Sequence, residues 1–253
     1  MSLVNVERIK LFSTRSPYWC LVAILVASAL FALLAGLLEN GRNAVPTFAL
    51  SGVGLGQNIF LVLAALAVTT EYRFGTIRTA FLATPNRFAV LLSKTVVLAV
   101  LGAVIGFICA VGAFFLTKLL AKSPPLPLDL QGELWRVVAG HAVLFPICAV
   151  IAVAVGSLLR QSAGAVAILL LWPLLVEQLV GLIPTVGEKI GPWLPFRAGA
   201  QFVADLRQLP GPAGNFNVVD PNAPTPVQGL LAFLGYAVLI WVIALIVLRR
   251  RDA

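Results

Sequence analysis

Glu71-Tyr72-Arg73-Phe74-Gly75-Thr76-Ile77-Arg78-Thr79, continuing to Thr84-Pro85-Asn86-Arg87, is a charged connector between two long apolar runs. It holds one acid, Glu71, and three arginines, Arg73, Arg78 and Arg87. The runs on either side, Gly52–Thr70 and Thr95–Leu116, each have about 20 residues, the length that crosses the hydrocarbon core of a bilayer. A short charged segment between two such runs sits in water at one membrane face. A soluble partner can push on it there.

Within the connector, Gly75 to Ala83 is long enough for about two helical turns. Ile77 and Phe81 are four apart and share a face, with Arg78 on the neighbouring arc. Thr84-Pro85 reads as an N-cap followed by proline at the first helical position, so a new helix is expected to start at Pro85. Glu71 is expected to end its span and to pair with Arg73, Arg78 or an arginine near the N-terminus. The plain alternative is a solvated charged loop.

The rest of the chain follows the same pattern. Its 253 residues are 60% hydrophobic and only 11% charged, with a mean hydropathy of +1.00. Soluble domains carry about 25% charged residues, and a water-soluble core of this size does not bury so much apolar surface. Six stretches have spanning length: 18–38, 52–70, 95–116, 137–159, 163–183 and 230–248. The reading is an all-α integral membrane protein of six transmembrane helices in a single domain, 1–253. The first apolar run lacks a convincing cleavage site and reads as a retained span.

The net charge of +8 does not imply nucleic acid, because the basic residues are scattered at segment ends. Such a pattern orients a membrane protein. With the N-terminus inside, Arg8, Lys10, Arg15, Arg73, Arg78, Arg87, Lys94, Arg160 and Arg249-Arg250-Arg251 fall on the cytoplasmic side. Arg42, Lys118, Lys122, Arg136, Lys189, Arg197 and Arg207 fall outside. Both termini and the connector are then cytoplasmic.

Two flanking regions stand apart from the spans. In 1–17, Val6, Ile9 and Phe12 share one face and Glu7, Arg8 and Arg15 the other, with Lys10 between, as in a helix lying at the membrane interface. A frayed charged tail is the alternative. In 184–229 the chain is rich in proline, yet Ile190-Gly191-Pro192-Trp193-Leu194-Pro195-Phe196 is too apolar for a free loop. Trp193, Pro195 and Phe196 are expected on short helices that dip into the outer leaflet, followed by a coil through Gly214-Asn215-Phe216-Asn217.

Candidate chemistry is sparse. Neither a phosphate-cradling G-x-x-x-x-G-K-[ST] loop nor H-E-x-x-H nor G-x-S-x-G occurs. Gly52-Val53-Gly54-Leu55-Gly56 and the Gly102/Gly106 pair lie inside spans and read as close helix packing. Cys20, Cys109 and Cys148 lie in apolar runs with no metal or redox spacing. His141 and Glu177 are the ionisable residues well inside spans, and such residues mark function by default. A structural His141–Glu177 hydrogen bond, Glu177 tying down the short outer helices, contact with a substrate, and a proton relay all remain open. Pro146 and Trp172-Pro173 are placed to kink the same helices. No internal repeat is visible, which speaks against the inverted-repeat transporters.

Glu7-Arg8-Ile9-Lys10-Leu11 with Ser13, Arg15 and Ser16, then Glu71 through Arg78, then Ala83-Thr84-Pro85-Asn86-Arg87 and Lys94, carry a likeness. The chain resembles the permease subunits of bacterial type-2 ATP-binding-cassette (ABC-2) exporters. The resemblance covers the whole chain through its six-span layout, and the connector is its specific part. It implies an interfacial helix (Glu7, Arg8, Lys10, Arg15) and a coupling helix over 71–87 (Glu71, Tyr72, Arg73, Gly75, Ile77, Arg78, Phe81, Arg87). It implies re-entrant helices before the last span, with an outer gate at Trp193, Pro195 and Phe196. It implies two separate ATPase subunits that bind ATP and magnesium, a second permease, identical or paralogous, and a place in the bacterial inner membrane. The chain itself would hold no cofactor and no catalytic site. The expected cargo is amphipathic or hydrophobic: a drug, antibiotic or lipid. The competing readings are a membrane scaffold or sensor without transport, and a membrane-embedded enzyme using His141 and Glu177.

Overall fold

The computed structural model describes residues 3–38, 46–120, 133–203 and 223–250. Arg42, Lys122, Arg207, Arg251, most of the second outer loop and the coil through Gly214–Asn217 lie outside the described residues. Every regular element among the described residues is helical: α1 Leu3–Phe12, α2 Ser16–Leu38, α3 Pro46–Arg73, α4 Thr76–Ala83, α5 Arg87–Leu120, α6 Glu133–Ala139 and α7 His141–Leu159 come first. After them come α8 Ser162–Leu171, a π-helical turn Trp172–Val176, α9 Glu177–Gly181, α10 Val186–Ile190, a 3-10 turn Gly191–Trp193, α11 Pro195–Val203 and α12 Pro226–Arg250.

Six helical stretches are long and apolar enough to cross a membrane, which makes this a multi-pass membrane protein. They are α2, α3, α5, the end of α6 with α7, α8 through α9, and α12. Several outrun the apolar runs expected from sequence. α3 continues through Glu71 and Tyr72 to Arg73, so those residues belong to a span and not to a separate connector helix. α5 has 34 residues, about 51 Å at ~1.5 Å per residue, against ~30 Å of hydrocarbon. It therefore projects past the core with Arg87 and Lys94 on its first turns. The reason is local: a helix does not stop where the hydrocarbon stops, because its backbone bonds continue equally well in water.

The helix expected to start at Pro85 starts at Arg87, because the cap is Asn86. The Asn86 Oδ1 accepts the Ala89 backbone N–H at 3.3 Å, satisfying one of the orphan donors of a helix start. Gly75 ends α3 and opens α4 in a left-handed conformation, φ 73°, which side chains with a Cβ avoid. The fourth span is broken at Gly140, where the chain passes from α6 to α7. Pro173 falls in the π-helical turn, which interrupts the fifth span as proline does.

α7 is the most enclosed span, with 61% of its most apolar window buried, against 17% for α8–α9 and for α12. It packs on α5, α3 and α12. Glycines allow the closest approaches. A Cβ on Gly106 would lie 2.6 Å from the His141 carbonyl oxygen, and one on Gly102 2.8 Å from Phe60. Gly52 likewise meets α2, at 2.5 Å from the Ala27 oxygen. The packing reading of both glycine clusters therefore holds at these positions. Cys109 and Cys148 are buried free thiols and Cys20 is half-buried, with Cys148 Sγ accepting from Gln57 at 3.1 Å.

Candidate functional site

Charge gathers at the end of the bundle that carries α1, α4, the end of α7 and the last turns of α12. At its centre is Lys94, on the second turn of α5, with a side chain only 4% exposed. Its Nζ lies 2.7 Å from Glu7 Oε2 on α1 and 2.5 Å from Glu71 Oε1 on α3. Lys10 joins from the surface, 3.1 Å from Glu7 Oε1 and 3.6 Å from Glu71 Oε1. Two ammonium groups and two carboxylates thus tie three elements together. A buried lysine without such partners would be costly, so the cluster fixes the position of α1.

This arrangement corrects one expectation and fixes which side of α1 meets the bundle. Glu71 pairs with lysines, Lys94 and Lys10, and not with Arg73, Arg78 or an N-terminal arginine. The inward face of α1 carries Glu7, Lys10 and the buried Leu11, while Ile9 is 54% exposed and Phe12 also faces outward. Val6 is half-buried, and Arg8 and Arg15 are exposed. The buried cation on α5 draws Glu7 inward and turns the helix about its axis. Lys94 is the functional residue that sequence reasoning left out of the site. The signal was a lone lysine immediately before the apolar run 95–116.

α4 sits beside this cluster. Ile77 is buried, at 5% exposure, and Phe81 is half-buried beneath the Arg87 guanidinium, 5.5 Å from its ring centre. These two side chains seat α4 on the bundle. The outward surface of α4 and of the turn before it presents Arg73, Phe74, Arg78 and Leu82. Phe74 and Leu82 are 73% and 83% exposed. Arg87 also donates to the Leu248 carbonyl at 2.5 Å, and Arg160 lies 5.3 Å from the centre of the Tyr72 ring. α4, α5, α7 and α12 are thus laced together at one end.

At the opposite end, Glu177 is 1% exposed. Its Oε1 accepts from Trp172 Nε1 at 3.1 Å and from the Phe196 N–H at 3.0 Å. Its Oε2 accepts from the Arg197 N–H at 2.8 Å. Phe196 and Arg197 are the second and third residues of α11, so the carboxylate caps a helix start, where free N–H groups and the helix dipole favour an anion. Glu177 thus ties down the start of α11, as one of the sequence alternatives expected. His141 does not bond it: its Nδ1 meets the Val137 carbonyl at 3.1 Å, within its own chain segment.

The outer-gate residues divide by burial. Pro195 is buried, Phe196 stacks on Phe233 of α12 with ring centres 5.4 Å apart, and Trp193 is 40% exposed. Arg136 Nη1 donates to the Phe202 carbonyl, holding the end of α11 to α6. α11 thus folds back along the first turns of α12. Among the described residues no group of His, Cys, Asp and Glu is placed to hold a metal. No family model matches the chain, and no curated protein matches it.

Proposed function

We propose that this chain is the membrane-spanning permease subunit of an ABC-2-type exporter in a bacterial cytoplasmic membrane, with both termini on the cytoplasmic side. The observation that carries the reading is the pairing at one end of the bundle of a charged, outward-facing short helix with a buried ion cluster behind it. α4 and the turn before it, with the last residue of α3, offer Arg73, Phe74, Arg78 and Leu82 to a partner. Ile77, Phe81 and the Lys94 cluster connect that surface to α1, α3 and α5.

In this mechanism two separate ATPase subunits bind ATP with magnesium and close, and their motion presses on α4. Because α4 is seated on Ile77 and Phe81, the push passes to the ends of α3 and α5. A second permease, identical or paralogous, completes the path. α11, anchored by Glu177, closes the outer end until the span carrying Glu177 moves. The cargo is an amphipathic or hydrophobic molecule, consistent with walls of apolar side chains.

Co-expression with its ATPase and purification of the complex tests the proposal. Replacing Arg78 with Glu reverses a rim charge without touching the seat of α4. It should weaken association and coupled ATP hydrolysis by roughly tenfold, with membrane insertion unchanged. Labelling of α4 by a membrane-impermeant reagent applied from outside intact cells would refute the orientation and the role together.

A further inference from the structure

Between α1, the start of α2, α3 and α5 lies a cavity of about 460 Å³, within the ~300–1,000 Å³ range of small-molecule sites. It is polar at one end and apolar at the other. The polar end is walled by the ion cluster and by Ser13, Thr14, Thr70 and Thr76. The apolar end is lined by Leu63, Leu66, Ala67, Val97 and Leu98, reaching about 12 Å further along α3 from Glu71.

The hydrogen-bond accounting at the polar end is one-sided. Ser13 donates to the Lys10 carbonyl at 2.8 Å, Thr14 to Leu11 at 3.4 Å, Thr70 to Leu66 at 2.6 Å and Thr76 to Glu71 at 3.4 Å. Each hydroxyl has spent its proton and keeps lone pairs. Both lysines are engaged by carboxylates. Glu71 Oε2 is buried and accepts no hydrogen bond, and rotation about the last side-chain bond, a soft torsion, can present it to a donor. The end of the cavity therefore offers an incoming donor one unpartnered carboxylate oxygen and four hydroxyl oxygens.

We infer that this cavity binds an amphiphile with a primary ammonium head and an apolar tail. The head donates to Glu71 and the hydroxyl oxygens, and the tail lies between α3 and α5. Binding itself is independent of ATP-driven export, and only the use of the cavity as an intake point for cargo rests on the exporter reading.

The test uses the full chain alone in phosphatidylcholine nanodiscs, titrated with dodecylamine, dodecanol or dodecanoate and read by native mass spectrometry. One dodecylamine per chain should be retained, with an affinity at least roughly tenfold above that of the alcohol and the carboxylate. Ala67→Phe fills the apolar end without touching the charges, and should abolish retention at an unchanged melting temperature. Glu71→Gln should erase the preference for the amine over the alcohol. Displacement by phosphatidylethanolamine would identify a bilayer aminolipid as the natural head, and failure to displace would identify a free amphiphilic amine. Equal binding of all three probes, or full binding by Ala67→Phe, overturns the inference. A missing ATPase partner would not affect this result, so the two proposals fail separately.

Discussion

The two ends of this bundle bury charge by different means. At the α4 end, Lys94 is compensated by formal opposite charges drawn from two other elements, α1 and α3. At the α11 end, Glu177 is compensated by neutral N–H dipoles drawn mainly from one helix start. The first solution couples every member to every other, because removing one leaves the rest with an uncompensated net charge. The second is modular, because the carboxylate can leave and only its own donors are stranded. A joint that must transmit force suits the first, and an anchor that must release suits the second.

The comparison breaks most sharply at Lys94. Lys94→Met keeps the stem and removes the charge, leaving Glu7 and Glu71 facing each other. Loss of one partner from a buried ionic cluster costs about 3–5 kcal/mol. The melting temperature in nanodiscs should fall markedly, and α1 should become open to proteolysis. Adding Glu71→Gln restores neutrality and leaves the Glu7–Lys10 pair intact, so the double variant should recover much of the loss. If Lys94→Met melts like the parent, the cluster does not hold α1.

Glu177 should give a smaller and more local effect. Glu177→Gln keeps one acceptor oxygen but turns an amide N–H₂ toward donors, and Glu177→Leu strands two backbone N–H groups and the Trp172 indole N–H. Each stranded buried donor costs about 1–3 kcal/mol, and part is relieved because α11 can lift away from α9. A cysteine at Ala198, a fully buried position, should then react faster with thiol reagents in Glu177→Leu than in the parent. Global melting should shift less than in Lys94→Met. Equal labelling rates in both backgrounds would show that Glu177 does not anchor α11.

These asymmetries also explain what could be read from the residues. The six apolar runs, the short helix ending at Ala83 and the special standing of Glu71 and Glu177 were legible, because hydropathy, a proline and an isolated acid each leave a local mark; the left-handed break at Gly75, which the sequence reading placed inside that helix, was not. The partner of Glu7 on α1 was not legible, because it is a lysine 87 residues further along the chain and no local pattern pairs the two. The partners of Glu177 were hidden for another reason. Apart from the Trp172 indole, they are backbone N–H groups, which every residue but proline possesses, so no side-chain pattern reports them. Pro195 at the first position of α11 is the remaining trace of that helix start.

The smallest expected effect tests whether the α4 end is held by conformation as well as by charge. A Cβ added at Gly75 meets nothing within 4 Å, so substitution there creates no clash. Its cost is purely that of a left-handed backbone at φ 73°, about 1–2 kcal/mol for a residue with a Cβ. Gly75→Ala should therefore lower stability by that amount, and Gly75→Asn by less, because asparagine tolerates the conformation better. Ile77 and Phe81 would still seat α4, so binding to the ATPase should survive in both variants. Coupled hydrolysis should drop in Gly75→Ala if the turn must keep its shape under load. If Gly75→Ala matches the parent in melting and in coupling, then α4 rides on its buried side chains alone, and the turn at Gly75 adds nothing to the hold that charge gives this end.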